Sequence, residues 1–235
     1  MIKLEHTVLP SPEQMQFIIE GMRNPMNSWD KSDSVKCYAN EKCQGICNEN
    51  KIGLCVGDND RSLMQRLSNA GTDHRKFMRM MPVFVRITAP LYWWKEADTY
   101  KIGTVANSCS TMHKIQEKEF TTDDFSCEHL DIRTKALLEV TIKILNDYRK
   151  LYIEYNPDDF EIKGCPSNKD IWWQMIQSLP SSYNQTRNVM MNYEVLANMY
   201  HSRKNHKLDE WREFCKWIED LPYSDLIIME DLKRD

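Results

Sequence analysis

Apolar residues recur at helical spacing through most of this chain and at strand spacing in one place. Met15, Ile18, Ile19 and Met22 share one helical face. Ser11-Pro12-Glu13-Gln14 predicts that helix's start: serine caps, proline suits the first helical position, and Gln14 completes a capping box. Pro25 closes it. A second helix is predicted from Asp58 or Asp60, with Leu63, Met64, Leu67 and Ala70 on one face and Gly71 as its stop. Val83-Phe84-Val85-Arg86-Ile87-Thr88 alternates as a half-buried strand that Pro90 ends, and Leu91-Tyr92-Trp93-Trp94 opens a further helix.

Thr121-Thr122-Asp123-Asp124 resembles a helix cap, and residues 132 to 152 predict a long helix rich in Leu, Ile and Val, broken at Asn156-Pro157-Asp158-Asp159. Lys169 to Leu179 predicts a short helix containing Trp172 and Trp173. The helical pattern resumes with Val189, Tyr193, Leu196 and Tyr200, breaks at Lys204-Asn205-His206, and returns with Trp211, Phe214, Cys215 and Ile218. There is no internal repeat and no low-complexity tract. The expectation is one mostly helical α+β domain over residues 1 to 235, with a loop-rich insertion at about 30 to 58.

Composition narrows this picture. At 235 residues and 41% hydrophobic, the chain can bury a substantial core. A net charge of −4 gives no reason to expect duplex DNA or an anionic membrane as partner. No apolar run reaches the roughly 20 residues a membrane span needs, and MIKLEHTVLPSPEQ is not a signal peptide. The eight cysteines are therefore expected to be reduced thiols in a cytoplasmic protein. Cys37, Cys43, Cys47 and Cys55 crowd the insertion, but their spacing lacks the C-x2-C pairs of recognisable zinc sites, so no metal is assigned.

Phosphate-binding glycine loops, nucleophile elbows and H-E-x-x-H pairs are all absent. Cys109 and His113 stand four apart with no visible orienting carboxylate, which leaves a nucleophilic couple unsupported. The Trp93-Trp94 and Trp172-Trp173 pairs are expected to serve mainly as core. What remains is the polar run Thr99-Tyr100-Lys101-Ile102-Gly103-Thr104-Val105-Ala106-Asn107-Ser108-Cys109-Ser110-Thr111-Met112-His113.

The order of elements around that run resembles the flavin-dependent thymidylate synthases (ThyX). That family opens with a T-P-x-P-E helix, matched here by Leu9-Pro10-Ser11-Pro12-Glu13, followed by an A-A-R-x-S/C-Y-like segment, matched by Gly21-Met22-Arg23-Asn24. A helix, a strand and another helix then lead into the signature R-H-R-x-x-S-x-N-E-x-S-x-R-Y, in the place of the polar run. Toward the C-terminus, Leu179-Pro180, Tyr200-His201-Ser202-Arg203 and Lys207-Leu208-Asp209-Glu210-Trp211-Arg212 stand for L-P, a helix ending in L-R, and A-Q-x-E-I-R. With Lys101 on the last basic position, Thr104 falls on the first signature Ser. One extra residue, Ala106, then brings Asn107 onto the Asn and Ser110 onto the second Ser. Thr99 and Tyr100 occupy the Arg and His positions, Ser108 replaces Glu, Met112 replaces the second Arg, His113 replaces Tyr, and Ile176 replaces the Arg before L-P.

The resemblance implies a ThyX-like domain with a central β-sheet flanked by helices, assembled as a homotetramer. It implies FAD as cofactor, NADPH as reductant, methylenetetrahydrofolate as one-carbon donor, and a pyrimidine deoxynucleotide such as dUMP as substrate. On the matched positions it implies catalytic roles for Ser110 and Arg212, and substrate contacts from Ser108, Ser110, His113 and Arg212. Flavin contacts are implied for Lys101, Thr104, Asn107, His201, Arg203 and His206. The lost signature charges point to a second reading, a nucleotide- or partner-binding protein on the same scaffold without flavin chemistry. Each missing charge-assisted bond is worth about 1.5–3 kcal/mol, so two lost Arg contacts weaken phosphate binding roughly 10²- to 10⁴-fold.

Overall fold

The computed structural model describes residues 1–36, 53–154 and 166–228. Cys37, Cys43, Cys47 and the Asn156-Pro157-Asp158-Asp159 break lie outside the described residues. Strand β1 (Lys3–Val8) leads to helix α1 (Pro12–Arg23), short strands β2 (Val35–Lys36) and β3 (Leu54–Cys55), and helices α2 (Asp58–Asn69) and α3 (Lys76–Arg79). Strand β4 (Pro82–Pro90), helix α4 (Leu91–Ala97), strand β5 (Val105–Ser108), and helices α5 (Thr111–Lys114), α6 (Ile132–Glu154) and α7 (Asn168–Ser178) follow. Strand β6 (Asn184–Asn192) then runs into helices α8 (Tyr193–Arg203), α9 (Asp209–Glu219) and α10 (Asp225–Ile228). The fold is α+β and mostly helical. Its larger sheet has the order β1-β4-β6-β5, and β2 pairs antiparallel with β3, Val35 opposite Cys55.

The predicted helix starts are formed as read. Ser11 Oγ accepts from the Gln14 amide at 3.2 Å, and the Ser11 amide donates to Gln14 Oε1 at 2.8 Å. Two corrections concern strands. Val189 belongs to β6, and the helix begins only at Tyr193. The polar run, for which no element was predicted, forms an exposed strand over Val105–Ser108 at one end of the sheet order.

The chain forms two compact units. The first comprises residues 1–3, 88–96 and 108–187, and the second residues 4–87, 97–107 and 188–235. In the first unit, Ile115, Phe120, Phe125, Leu138, Leu145 and Met175 form the core, with Trp172 and Tyr183 packed against it. The Asn146 side chain locks α6 to the preceding segment, accepting from the Phe120 amide at 2.9 Å and donating to the Phe120 carbonyl at 2.8 Å. Trp93 and Trp94 are both buried, and Trp173 is exposed beside the packed Trp172.

In the second unit, Met15, Ile18 and Ile19 of α1, Leu63 and Met64 of α2, Val83, Val85 and Ile87 of β4, and Trp211, Phe214 and Ile218 of α9 are all buried. A fully buried carboxylate ties its N-terminal part together. Asp60 Oδ1 accepts from Arg23 Nε at 2.6 Å, while Oδ2 accepts from the Ser32 and Ser34 hydroxyls and the Asp33 and Ser34 amides. Burial by itself raises the Asp60 carboxyl; the bonds from Ser34, Ser32 and Arg23 outweigh it and hold the group below the usual carboxylate range.

Asp60→Ala is expected to cost about 3–5 kcal/mol, because it leaves the Arg23 guanidinium buried without its counter-ion; urea denaturation at pH 7 measures this. The folded carboxyl titrates below its unfolded value of about 3.9. Its contribution is therefore complete above about pH 4 and is lost as pH falls through the folded value. The urea midpoint of wild type should accordingly drop in acid more steeply than that of Asp60→Asn.

Candidate functional site

Strand β6 becomes helix α8 without an intervening loop, and Asn192 makes the junction. Its Oδ1 accepts from the Val195 amide at 3.0 Å and so caps α8. The polar run crosses this junction at Gly103, whose backbone is left-handed at φ +77°. A Cβ there would lie 2.7 Å from Asn192 Nδ2 and 3.0 Å from Val195 Cγ2. Only glycine permits both the backbone conformation and the approach.

On the N-terminal side of Gly103, Tyr100 meets Arg203. Arg203 Nε donates to the Tyr100 hydroxyl at 3.0 Å, and its guanidinium lies 5.6 Å from the Tyr100 ring and 4.9 Å from the buried Trp211 ring. Arg212 closes the next turn, donating to the carbonyls of His206 at 2.7 Å and Lys207 at 3.1 Å and pairing with Asp209. His206 Nδ1 accepts from the Leu208 amide at 3.2 Å. The second unit thus gathers Arg203, His206 and Arg212 around Trp211, and Tyr100 joins them. His201 sits edge-on to Tyr200 at 5.7 Å.

On the other side of Gly103, Thr104 Oγ1 is buried with no hydrogen-bond partner. Asn107 and Val105 line a cavity of about 250 Å³, together with His6, Phe84, Arg86 and Asn188. The alternation of β4 puts these groups there: Val83, Val85 and Ile87 are buried, while Phe84 and Arg86 point outward. His6 carries a left-handed backbone at φ +53°, an uncommon conformation outside glycine. Sequence reading passed over His6, Phe84, Arg86 and Asn188, although the outward positions of the predicted strand were the signal for two of them. Lys101 is exposed and makes no ion pair among the described residues.

Ser108, Ser110 and His113 belong to the first unit and are exposed. Ser110 Oγ accepts from the His113 amide at 3.1 Å, so this hydroxyl caps α5. The Cys109 amide donates to the Thr186 carbonyl at 3.0 Å, and Gln185 Nε2 donates to the Cys109 carbonyl and to Thr111 Oγ1. Cys109 precedes α5 and does not share a helix with His113. A separate cavity of about 360 Å³ in this unit is lined by Met112, His113, Gln116, Tyr152, Asn168, Lys169 and Trp172. Among the described residues no group of three or more His, Cys, Asp and Glu converges to hold a metal ion. Burial, with Glu219 adding, pushes the Cys215 thiol up to about 12, which keeps it unreactive. No helix among the described residues is long and apolar enough to cross a membrane.

No protein-family model matches the sequence, and no curated protein sequence matches it. Solved structures do. The chain is similar to thymidylate synthase X (ThyX) from Helicobacter pylori with FAD and dUMP, at 15% identity and TM-score 0.60, covering 100% of this chain and 99% of that one. A second structure of the flavin-dependent thymidylate synthase ThyX from the same organism, complexed with FAD and dUMP, matches at 15% identity and TM-score 0.57, covering 98% of each chain. The fold of the described residues is therefore ThyX-like.

Gly103→Ala is expected to destabilise the protein by about 2–4 kcal/mol, adding a steric conflict with Asn192 to the backbone strain. Gly71, also left-handed at φ +103° but with nothing near its would-be Cβ, is the control. Gly71→Ala should cost only about 1 kcal/mol. Paired thermal melts measure the difference.

Proposed function

We propose that this chain is a divergent flavin-dependent thymidylate synthase-like protein, a single ThyX-like domain over residues 1 to 235 that carries out FAD-dependent one-carbon transfer to a pyrimidine deoxynucleotide such as dUMP. The observation that carries the reading is the fold likeness over essentially the full length of both chains. NADPH and methylenetetrahydrofolate are the co-substrates of this reading, a homotetramer its assembly, and the cytoplasm its location.

The residues present fit the neutral part of a flavin site. Thr104 offers a buried hydroxyl without a partner, and Asn107 lines a cavity beside Arg86 and His6. Thr104, Asn107 and Lys101 would hold the FAD, with His201, Arg203 and His206 near its other parts. When bound, the flavin supplies the redox and carrier chemistry, and the protein supplies position and charge. Ser108, Ser110, His113 and Arg212 would contact the nucleotide, with Ser110 and Arg212 closest to the chemistry.

One observation favours the second reading, a nucleotide- or partner-binding protein without flavin chemistry. Both C-terminal arginines are engaged within the fold: Arg203 with Tyr100 and Trp211, Arg212 with Asp209 and two backbone carbonyls. A guanidinium held this way has part of its donor set already committed within the fold.

The purified protein is expected to bind FAD, showing flavin absorbance, and to oxidise reduced flavin in a deoxyuridylate-dependent way. Asn107→Ala should weaken FAD binding about 10-fold, the worth of one hydrogen bond of about 1.4 kcal/mol. Protein that stays colourless after incubation with excess FAD sinks the enzyme reading in favour of the binding protein.

A further inference from the structure

Helix α5 is too short to hold itself in place. It runs only from Thr111 to Lys114, and isolated helices shorter than roughly 12 residues are marginal in water. Contacts from β6 and α7 of the same unit fix it. Trp172 Nε1 donates to the Met112 carbonyl at 2.9 Å. Gln185 gives both protons of its side-chain amide to the start of α5, one to the Cys109 carbonyl at 3.2 Å and one to Thr111 Oγ1 at 2.8 Å. Its two acceptors belong to the residues on either side of Ser110.

The network allows the Gln185 carboxamide only one orientation. Its Oε1 accepts from Arg187 Nε at 2.9 Å. A guanidinium donates and never accepts, so the oxygen must face Arg187 and the nitrogen must face the Cys109 carbonyl. Arg187 is set in turn by Trp94, whose ring centroid lies 4.1 Å from the guanidinium carbon. Trp94 Nε1 also donates to the Gln185 carbonyl at 2.9 Å, and the Cys109 amide donates to the Thr186 carbonyl at 3.0 Å. Between these held neighbours, Ser110 Oγ accepts from the His113 amide at 3.1 Å. That bond uses an oxygen lone pair and leaves the hydroxyl proton available to a ligand.

We propose that Gln185 is a positioning residue for Ser110: its amide holds both neighbours of Ser110 and so fixes where the Ser110 hydroxyl meets the nucleotide. The proposal rests on the reading of Ser110 as a nucleotide contact and asks nothing of the flavin.

Deoxyuridylate affinity, measured by calorimetry on the full chain, tests it through a double-mutant cycle. Gln185→Met keeps the length of the side chain and removes its hydrogen bonds; it is expected to weaken deoxyuridylate binding about 10-fold. Ser110→Ala should weaken binding by a similar factor, and Gln185→Met made in the Ser110→Ala chain should add no further loss. Gln185→Glu keeps the acceptor for Arg187 but has no proton to donate at pH 7. It carries the same expectation and replaces Gln185→Met if that variant does not fold. Losses that multiply in the double variant overturn the proposal, because a residue that only supports the fold weakens binding whether or not the Ser110 hydroxyl is present. Gln185 variants that bind as wild type, while Ser110→Ala binds more weakly, overturn the proposal and leave the nucleotide reading standing. Ser110→Ala that binds as wild type, or a wild-type chain that does not bind deoxyuridylate, overturns both.

Discussion

The guanidinium of Arg203, lying over the rings of Tyr100 and Trp211 and bonded to the Tyr100 hydroxyl, anchors the stretch of the polar run that lies in the second unit, as far as Asn107. A cation held against two aromatic faces is worth about 0.5–2 kcal/mol, more where it is desolvated. It joins the end of α8, the start of α9 and the residues before Gly103. From that anchor the chain passes close over Asn192; beyond it the Thr104 hydroxyl is buried, and Asn107 lines the cavity beside Arg86.

The same cluster satisfies its own charges within the second unit. The Tyr100 hydroxyl gives Arg203 a partner inside the fold. Arg212 likewise bonds the turn at His206 and Lys207. Both guanidinia are engaged by backbone or side chains of their own unit. Arg86 of β4 brings a guanidinium to the cavity, and His6 of β1 brings an imidazole.

Helices were legible in the sequence because their signals are local. Ser11 and Gln14 form the capping box that their spacing announces, and α2, α6, α7 and α9 begin within a residue or two of the read positions. β4 was legible because its two faces differ, Val83, Val85 and Ile87 inward against Phe84 and Arg86 outward. β6 was not, since Asn184-Gln185-Thr186-Arg187-Asn188 carries no apolar alternation and owes its strand form to its neighbours in the sheet. The site was legible only in part for a related reason. The hydroxyl of Ser110 reads the same in sequence whether it meets a ligand or caps α5, and the contacts that bring Arg203 to Tyr100 span more than a hundred residues.

The junction at Asn192 also limits how this chain can vary in length. With Asn192 ending the strand and Tyr193 opening the helix, no slack residue separates the two. One residue inserted there would turn every side chain of α8 by about 100° and advance it by about 1.5 Å. Arg203 would swing away from Tyr100, and the polar run would lose its mooring.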